Sequence, residues 1–110
     1  MNNIKIPQIS VQALKQQLDR DESTCLIDVR EPHEWDEAHI PGAIHLQKDT
    51  IEHHIHEIAP NRSQPIFLQC RSGQRSRFAA LLLAELGYEN VINVEGGILD
   101  WISSGYPVNK

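Results

Sequence analysis

Short apolar runs alternate with amphipathic stretches along this chain. Four compact apolar runs are typical of strands buried on both faces: 25–30, 43–46, 65–69 and 91–94. One-sided apolar stripes and one acidic stretch predict five helices: 11–18, 31–38, 51–58, 78–86 and 98–102. Strands that alternate with helices favour right-handed crossovers, so the pattern predicts an α/β fold with a mainly parallel sheet and helices on both faces.

Local signals refine the expected helices. Ser10 is a good N-cap for the first helix, and the spacing of Asp49 and Glu52 resembles a capping box before the third. Trp35 is expected to anchor the short acidic helix. The helix over 78–86 is expected to bury the following residues: Ala79, Leu82, Leu83 and Leu86, with Phe78 and Leu81 widening the apolar arc.

Cys70 stands where a buried strand is expected to end and a helix to begin. A loop at such a junction can turn several backbone N–H groups inward, and the helix dipole there favours a thiolate over a thiol. Ligands of parallel sheets bind beyond the carboxyl ends of the strands, at a switch in strand order. Cys70 is therefore a candidate nucleophile, and Asp28 and Arg30 are expected on the same rim, holding the end of their strand.

Arg71, Arg75 and Arg77 crowd around this cysteine. Cations at a helix start oppose its dipole, so fold stability alone offers no reason for them, whereas an anion in the loop does. The chain as a whole carries a net charge of −5, which argues against nucleic acid or an anionic membrane as the main partner. The sequence thus indicates a small anionic substrate steered to one place.

The length of 110 residues fits one domain over 1–110. No apolar run approaches the ~20 residues that span a bilayer. Cys25 and Cys70 form no CxxC pair, so neither a disulfide framework nor a zinc module is indicated. These features predict a soluble cytoplasmic protein without a cofactor.

Two stretches that flank the cysteine loop resemble family signatures. The first comprises LIDVRE at 26–31, the acidic stretch with Trp35, and HIPGA at 39–43; the second comprises GGILDW at 96–101 and GYPV at 105–108. Together they resemble the rhodanese domain of the single-domain sulfurtransferase type, over nearly the whole chain. Ala38 and Trp35 differ mildly from the usual Gly and Tyr or Phe, at positions away from the expected chemistry.

This resemblance implies a rhodanese-like fold with a five-stranded sheet and a covalent mechanism. The Cys70 thiolate would attack the outer sulfur of an anionic donor such as thiosulfate and become a persulfide, from which cyanide or a thiol would remove the sulfur. Arg71 and Arg75 would guide donor and acceptor. The persulfide would be held by the backbone N–H groups of the loop: Arg71, Ser72, Gly73, Gln74, Arg75 and Ser76.

Two other functions stay open. Cysteine phosphatases of this fold carry five residues between cysteine and arginine, but only four separate Cys70 from Arg75, which favours a seat for one sulfur over one for phosphate. The seat would be larger if Arg77 turned inward instead. Rhodanese-like domains can also serve as non-catalytic docking modules, and the sulfur could instead be relayed to or from a protein persulfide.

The remaining reactive side chains have simpler interpretations. Cys25 begins a buried strand and is expected to pack there, with a resolving thiol as the less favoured alternative. His53, His54 and His56 resemble a metal cluster, but His53 and His56 are predicted to lie on the exposed side of their helix with no third ligand nearby in sequence, so no metal site is expected. His39 is predicted to brace a loop rather than to act as a base.

Overall fold

Five parallel strands and five α-helices make up the computed structural model, which describes residues 5–110. The elements in chain order are β1 (Gln8–Ile9), α1 (Val11–Arg20), β2 (Cys25–Asp28), α2 (Pro32–Glu37), β3 (Ile44–His45), a 3₁₀ turn (Lys48–Thr50), α3 (Ile51–Ile58), β4 (Ile66–Gln69), α4 (Gln74–Glu85), β5 (Val91–Val94) and α5 (Gly97–Ser103). All four apolar runs form strands, and the predicted α/β class is confirmed.

The strands pair in the order β1-β5-β4-β2-β3, and every pairing is parallel. From β2 the chain continues outward to β3, whereas from β4 it continues to β5 on the opposite side. The strand order therefore reverses between β2 and β4, where Asp28 lies opposite Gln69. Cys70, the residue after Gln69, is thus at the topological switch point that the sequence predicted.

Helices cover both faces of the sheet, as expected. On one face α3 and α4 contribute Ile51, Ile55, Ala79 and Leu83 to a core around β2 and β4. On the other face α1 and α5 contribute Leu14 and Trp101 to a second core. The sheet is therefore buried from both sides, which is why its strands read as continuous apolar runs.

The buried face of α4 differs from the prediction. The helix begins at Gln74 rather than Phe78, and Ser76, Ala79, Ala80 and Leu83 form its buried stripe. Phe78 is 61% exposed and Leu86 is 38% exposed, so the expectation that they enter the core is wrong. The reason is that Ser76 faces the cysteine, and helical spacing from Ser76 then carries Phe78 to the opposite side.

Three local expectations have different outcomes. Ser10 caps α1 as predicted, because its side chain accepts a hydrogen bond from the Ala13 N–H. The capping box at Asp49 and Glu52 is wrong, since a 3₁₀ turn precedes α3 and Thr50 occupies the N-cap position. The two-residue strand β1 was not identified from the residue pattern, because so short an edge strand shows no periodicity.

No helix within residues 5–110 is long and apolar enough to cross a lipid bilayer.

The two faces of α4 make a testable contrast. We expect Leu83→Ala to lower the free energy of unfolding by about 2–5 kcal/mol, because Leu83 is fully buried. Phe78→Ser should cost less than about 1 kcal/mol, since it removes an exposed ring whose centroid lies 5.1 Å from the Lys48 Nζ. Urea denaturation of both variants measures the difference, and equal losses would contradict the observed helix orientation.

Candidate active site

Cys70 lies at the carboxyl end of β4 with 1% of its surface exposed. Two backbone N–H groups point at its Sγ: that of Gly73 at 3.1 Å and that of Ser76 at 3.4 Å. The Ser76 hydroxyl is also 3.4 Å from the sulfur. Gly73 makes this curl possible because its φ of 106° is one that side-chain-bearing residues rarely adopt. The loop therefore surrounds the sulfur with hydrogen-bond donors.

These donors change the acidity of Cys70. Burial raises its pKa and is the largest single influence, but hydrogen bonds from the Ser76 hydroxyl and from the N–H groups of Ser76, Gly73 and Ser72 outweigh it. The net result is a pKa below the ordinary value of a thiol. Because the thiolate is the nucleophilic form, the loop prepares Cys70 to attack an electrophile without a separate general base.

Asn93, on the neighbouring strand β5, fixes the shape of this loop. Its Nδ2 donates to the Gly73 carbonyl at 3.1 Å, and its Oδ1 faces the Ser76 hydroxyl, whose single proton is shared between this oxygen and the Cys70 sulfur. Asn93 is 2% exposed and thus ties both ends of the curl to the sheet. No pattern in the sequence indicates this role, because a polar residue within a short strand becomes informative only once β5 is known to lie beside β4.

Helix α5 closes the other side of the loop. The Ile98 and Leu99 N–H groups donate to the carbonyls of Cys70 and Arg71, at 2.9 and 3.1 Å. A Cβ atom on Gly97 would overlap both of those carbonyl oxygens. The Gly96-Gly97 pair of the C-terminal signature is therefore needed so that the start of α5 can approach the cysteine loop.

Asp28 and Arg30 lie on the rim, and they hold the strand end as predicted. The Arg30 guanidinium binds the Asp28 carboxylate at 2.7–3.1 Å and also donates to the Ala38 carbonyl at 2.7 Å. Both residues are buried, so the two charges compensate each other away from water. The pair connects β2 to the loop after α2 and makes no contact with Sγ.

Arg75 has a partner that the sequence did not reveal. Its guanidinium forms a two-pronged ion pair with Glu34 of α2, with Nη1–Oε1 and Nη2–Oε2 distances of 2.7 and 2.9 Å. The premise that fold stability offers no reason for this cation is therefore wrong, since the ion pair joins α2 to the first turn of α4. Glu34 was missed because 41 residues separate the partners.

The other predicted loop residues surround the sulfur at greater exposure. Arg71, Ser72 and Gln74 are exposed at the mouth of the loop. Arg77 is exposed as well and does not turn inward. It therefore does not enlarge the loop, and four residues separate Cys70 from Arg75.

The aromatic part of the N-terminal signature braces the loop after α2. His39 stacks on Trp35 with ring centroids 3.7 Å apart, and its Nδ1 lies 2.9 Å from the Trp35 carbonyl. Trp35 is only partly buried, so it anchors α2 by stacking on this histidine rather than by entering either core.

Cys25 is far from the candidate site, because it occupies the opposite end of the sheet at the start of β2. It borders a cavity of about 190 Å³ that Gln17, Gln64 and Phe67 also line. Burial raises the pKa of its thiol, which keeps it protonated and unreactive. A resolving role toward Cys70 is therefore excluded by the geometry of the sheet.

His53, His54 and His56 are exposed on α3, and for His53 and His56 this is the side of the helix that the sequence predicted. His54 contacts Glu57 at 3.1 Å. Within residues 5–110, no three side chains of the His, Cys, Asp or Glu type are grouped closely enough to hold a metal ion.

Comparison with known proteins agrees with this architecture. The family model of the rhodanese-like domain matches residues 10–104. The chain belongs to the rhodanese-like domain family.

Relatives and solved structures of this family cover most of the chain. It is 42% identical to a proposed sulfur carrier protein of Bacillus subtilis over 91% of its own length, but spans only 53% of that protein. It is 36% identical to a sulfurtransferase of Allochromatium vinosum, and the match covers 94% of each chain. A rhodanese-related protein of Thermoplasma volcanium superimposes with a TM-score of 0.80 at 31% identity, over 94% of this chain and 97% of that one.

The hydroxyl of Ser76 is expected to sustain the acidity of Cys70 in this rhodanese-like domain. Removing it in Ser76→Ala withdraws a donor from the thiolate, so the pKa of Cys70 should rise and its alkylation by iodoacetamide near neutral pH should slow several-fold. The measurement is the pH profile of alkylation at the Cys70 peptide, read by mass spectrometry. Ser72→Ala retains its N–H group and is the control; equal rates in the two variants would contradict the role of the hydroxyl.

The close approach of α5 to the cysteine loop gives a second expectation. Gly97→Ala and Gly105→Ala each place a side chain at positive φ, at a cost of about 1–2 kcal/mol. Only at Gly97 would the new Cβ overlap the loop carbonyls, whereas Gly105 has open space around it. We therefore expect Gly97→Ala to cost about 1–3 kcal/mol more than Gly105→Ala in urea denaturation. Similar losses of unfolding free energy in the two variants would show that the cysteine loop can move to accommodate a side chain at position 97.

Proposed function

We propose that this protein is a rhodanese-type sulfurtransferase that carries the transferred sulfur as a persulfide on Cys70. The main support for this proposal is the position of the Cys70 sulfur. It lies at the switch point of the sheet, within hydrogen-bonding distance of the N–H groups of Gly73 and Ser76. Membership of the family and the relatives named as sulfur carrier and sulfurtransferase support sulfur transfer as the reaction class.

The proposed reaction has two steps. The Cys70 thiolate attacks the outer sulfur of thiosulfate; a new S–S bond forms, the old one breaks, and its electron pair leaves with sulfite. In the second step cyanide or a thiolate attacks the outer sulfur of the persulfide and leaves Cys70 as a thiolate again. A small persulfide or a protein persulfide serves as donor by the same chemistry, with a thiolate as the leaving group.

The loop supplies what both steps require. A persulfide is itself an anion, and its outer sulfur would accept hydrogen bonds from the inward N–H groups between Arg71 and Ser76. The start of α4 adds the positive end of a helix dipole to these donors. Arg71, exposed at the mouth, is the side chain proposed to guide an anionic donor or acceptor. No cofactor takes part in this scheme.

The two alternatives have less support. A phosphate needs a wider ring than the four residues between Cys70 and Arg75 provide, and Arg77 points outward rather than completing a larger one. A docking module would have no use for a cysteine with a lowered pKa. One domain over 1–110 and a cytoplasmic location remain predictions.

Mass spectrometry of the intact protein tests the proposal. After incubation with thiosulfate, or separately with glutathione persulfide, the wild-type protein should gain the mass of one sulfur atom, and cyanide should remove it with release of thiocyanate. Cys70→Ser should gain nothing, while Cys25→Ser should gain sulfur normally, because Cys25 lies at the other end of the sheet.

Two outcomes would contradict the proposal: no added sulfur on the wild type from either donor, or added sulfur that persists in Cys70→Ser. Hydrolysis of an aryl phosphate that depends on Cys70 would instead favour the phosphatase alternative.

A further inference from the structure

The ion pair of Glu34 with Arg75 lies at the edge of the cysteine loop. The side chains of Arg75 and Glu34 are 34% and 17% exposed, so water screens the pair only in part. Glu34 is held in place from its own helix as well, because its Oε1 accepts a hydrogen bond from the Glu31 N–H at 3.0 Å. The orientation of the carboxylate toward Arg75 is therefore built into the start of α2.

Both partners of the Glu34–Arg75 ion pair are charged, and Arg75 interacts electrostatically with Cys70. The hydrogen bonds from Arg75 lower the pKa of Glu34 to about 2, so the carboxylate is charged at every physiological pH. Glu34 in turn raises the pKa of Arg75, and the negative charge of Cys70 contributes to the same shift. Arg75 directly precedes Ser76, whose N–H group contacts the Cys70 sulfur, but the charge of its guanidinium is compensated by Glu34.

The other charges at this edge are compensated only in part. Glu31 adds a second carboxylate, which Gln47 holds at 2.9 Å, and it too acts on Arg75. The nearby Arg30 is fully paired with Asp28. Among the ion pairs within residues 5–110, none includes Arg71, at the mouth of the loop, or Arg77, on the exposed side of α4, so these two cations are uncompensated.

This balance of charge affects which sulfur donors can approach Cys70. Thiosulfate brings two negative charges to a thiolate that already carries one, so its approach requires uncompensated cations beside the loop. The reacting group of a persulfide or of a thiosulfonate carries only one. Glu34 cancels the charge of Arg75, so Arg75 does little to offset the repulsion between the Cys70 thiolate and an anionic donor. This repulsion is stronger for a donor with two negative charges than for a donor with one.

We propose that Glu34 is a specificity-determining residue, which biases the Cys70 loop toward sulfur donors whose reacting group carries a single negative charge, such as persulfides, and against the doubly charged thiosulfate. This inference rests on the proposed sulfur transfer through Cys70 and goes beyond it by naming the class of donor. Glu34 acts through Arg75 rather than on the transferred sulfur itself.

Thiosulfate and methanethiosulfonate form a matched pair of probes. In methanethiosulfonate a methyl group replaces one oxygen of thiosulfate, so the ion carries one negative charge instead of two and delivers the same outer sulfur. The Cys70 thiolate forms the same persulfide from both, and the leaving group is methanesulfinate in one case and sulfite in the other. The ratio of kcat/KM for thiosulfate to that for methanethiosulfonate therefore reports the effect of charge.

The test compares this ratio in the wild type and in Glu34→Gln. We expect the variant to raise the ratio about three- to eightfold at low ionic strength, because one unit of negative charge is removed from the edge of the loop, beside Arg75. The increase should shrink in 0.5 M salt, since screening acts over about 3–4 Å at that ionic strength. A merely structural defect would lower kcat/KM for both donors together and leave the ratio unchanged.

Two further variants make the assignment specific. Glu37→Gln removes the same charge from an exposed position on the same helix and should leave the ratio within twofold of the wild type. The double variant Glu34→Gln with Arg75→Gln removes both charges of the pair, and its ratio should return toward the wild-type value. An equal rise in Glu37→Gln would assign the effect to overall charge and overturn the inference.

Sulfur loading of Cys70 separates the possible failures. If both donors load Cys70 and the ratio in Glu34→Gln stays within twofold of the wild type, the inference about Glu34 is wrong while the sulfurtransferase proposal stands. If neither donor nor glutathione persulfide loads Cys70 in the wild type, the proposed function and the inference fail together.

Discussion

The buried sulfur of Cys70 is surrounded by hydrogen-bond donors, and the structure around the loop depends on this arrangement. An anion with 1% exposure would be costly in an apolar core without such partners. The N–H groups of Gly73 and Ser76 and the Ser76 hydroxyl meet the need. Because Ser76 must face the sulfur, it sets the rotation of α4, and Asn93 must stand beside it on β5 to keep the curl in place.

Both halves of the chain converge on this loop. The C-terminal signature brings Gly97 so close that the N–H groups opening α5 bind the loop carbonyls. The N-terminal signature approaches from the other side, where Asp28 and Arg30 fix the end of β2 and Glu34 binds Arg75. Both signatures thus stabilise the cysteine loop through hydrogen bonds and packing. The N-terminal signature, through Glu34, also affects how much positive charge lies beside the loop.

Much of the fold and the centre of the candidate site could be predicted from the residues. Buried strands, amphipathic helices and a cysteine at a strand end are local patterns, so the α/β class and the place of Cys70 followed from short stretches. The prediction that Phe78 is buried was wrong because the apolar pattern of α4 does not reveal which face of the helix must point toward the Cys70 sulfur. The partners Glu34 and Asn93 were missed because each meets the loop through a contact distant in sequence.

The sequence by itself determined the candidate nucleophile, the short spacing from Cys70 to Arg75, and the switch-point location, because these depend on neighbours along the chain or on a general rule for parallel sheets. Only the tertiary structure decided which side chains stand around the sulfur and with what net charge. Arg75 illustrates the difference: its charge is evident in the sequence, but compensation by Glu34 depends on the packing of α2 against α4. Electrostatic interactions act through space, so the balance of charge at the site appears only when the chain is folded.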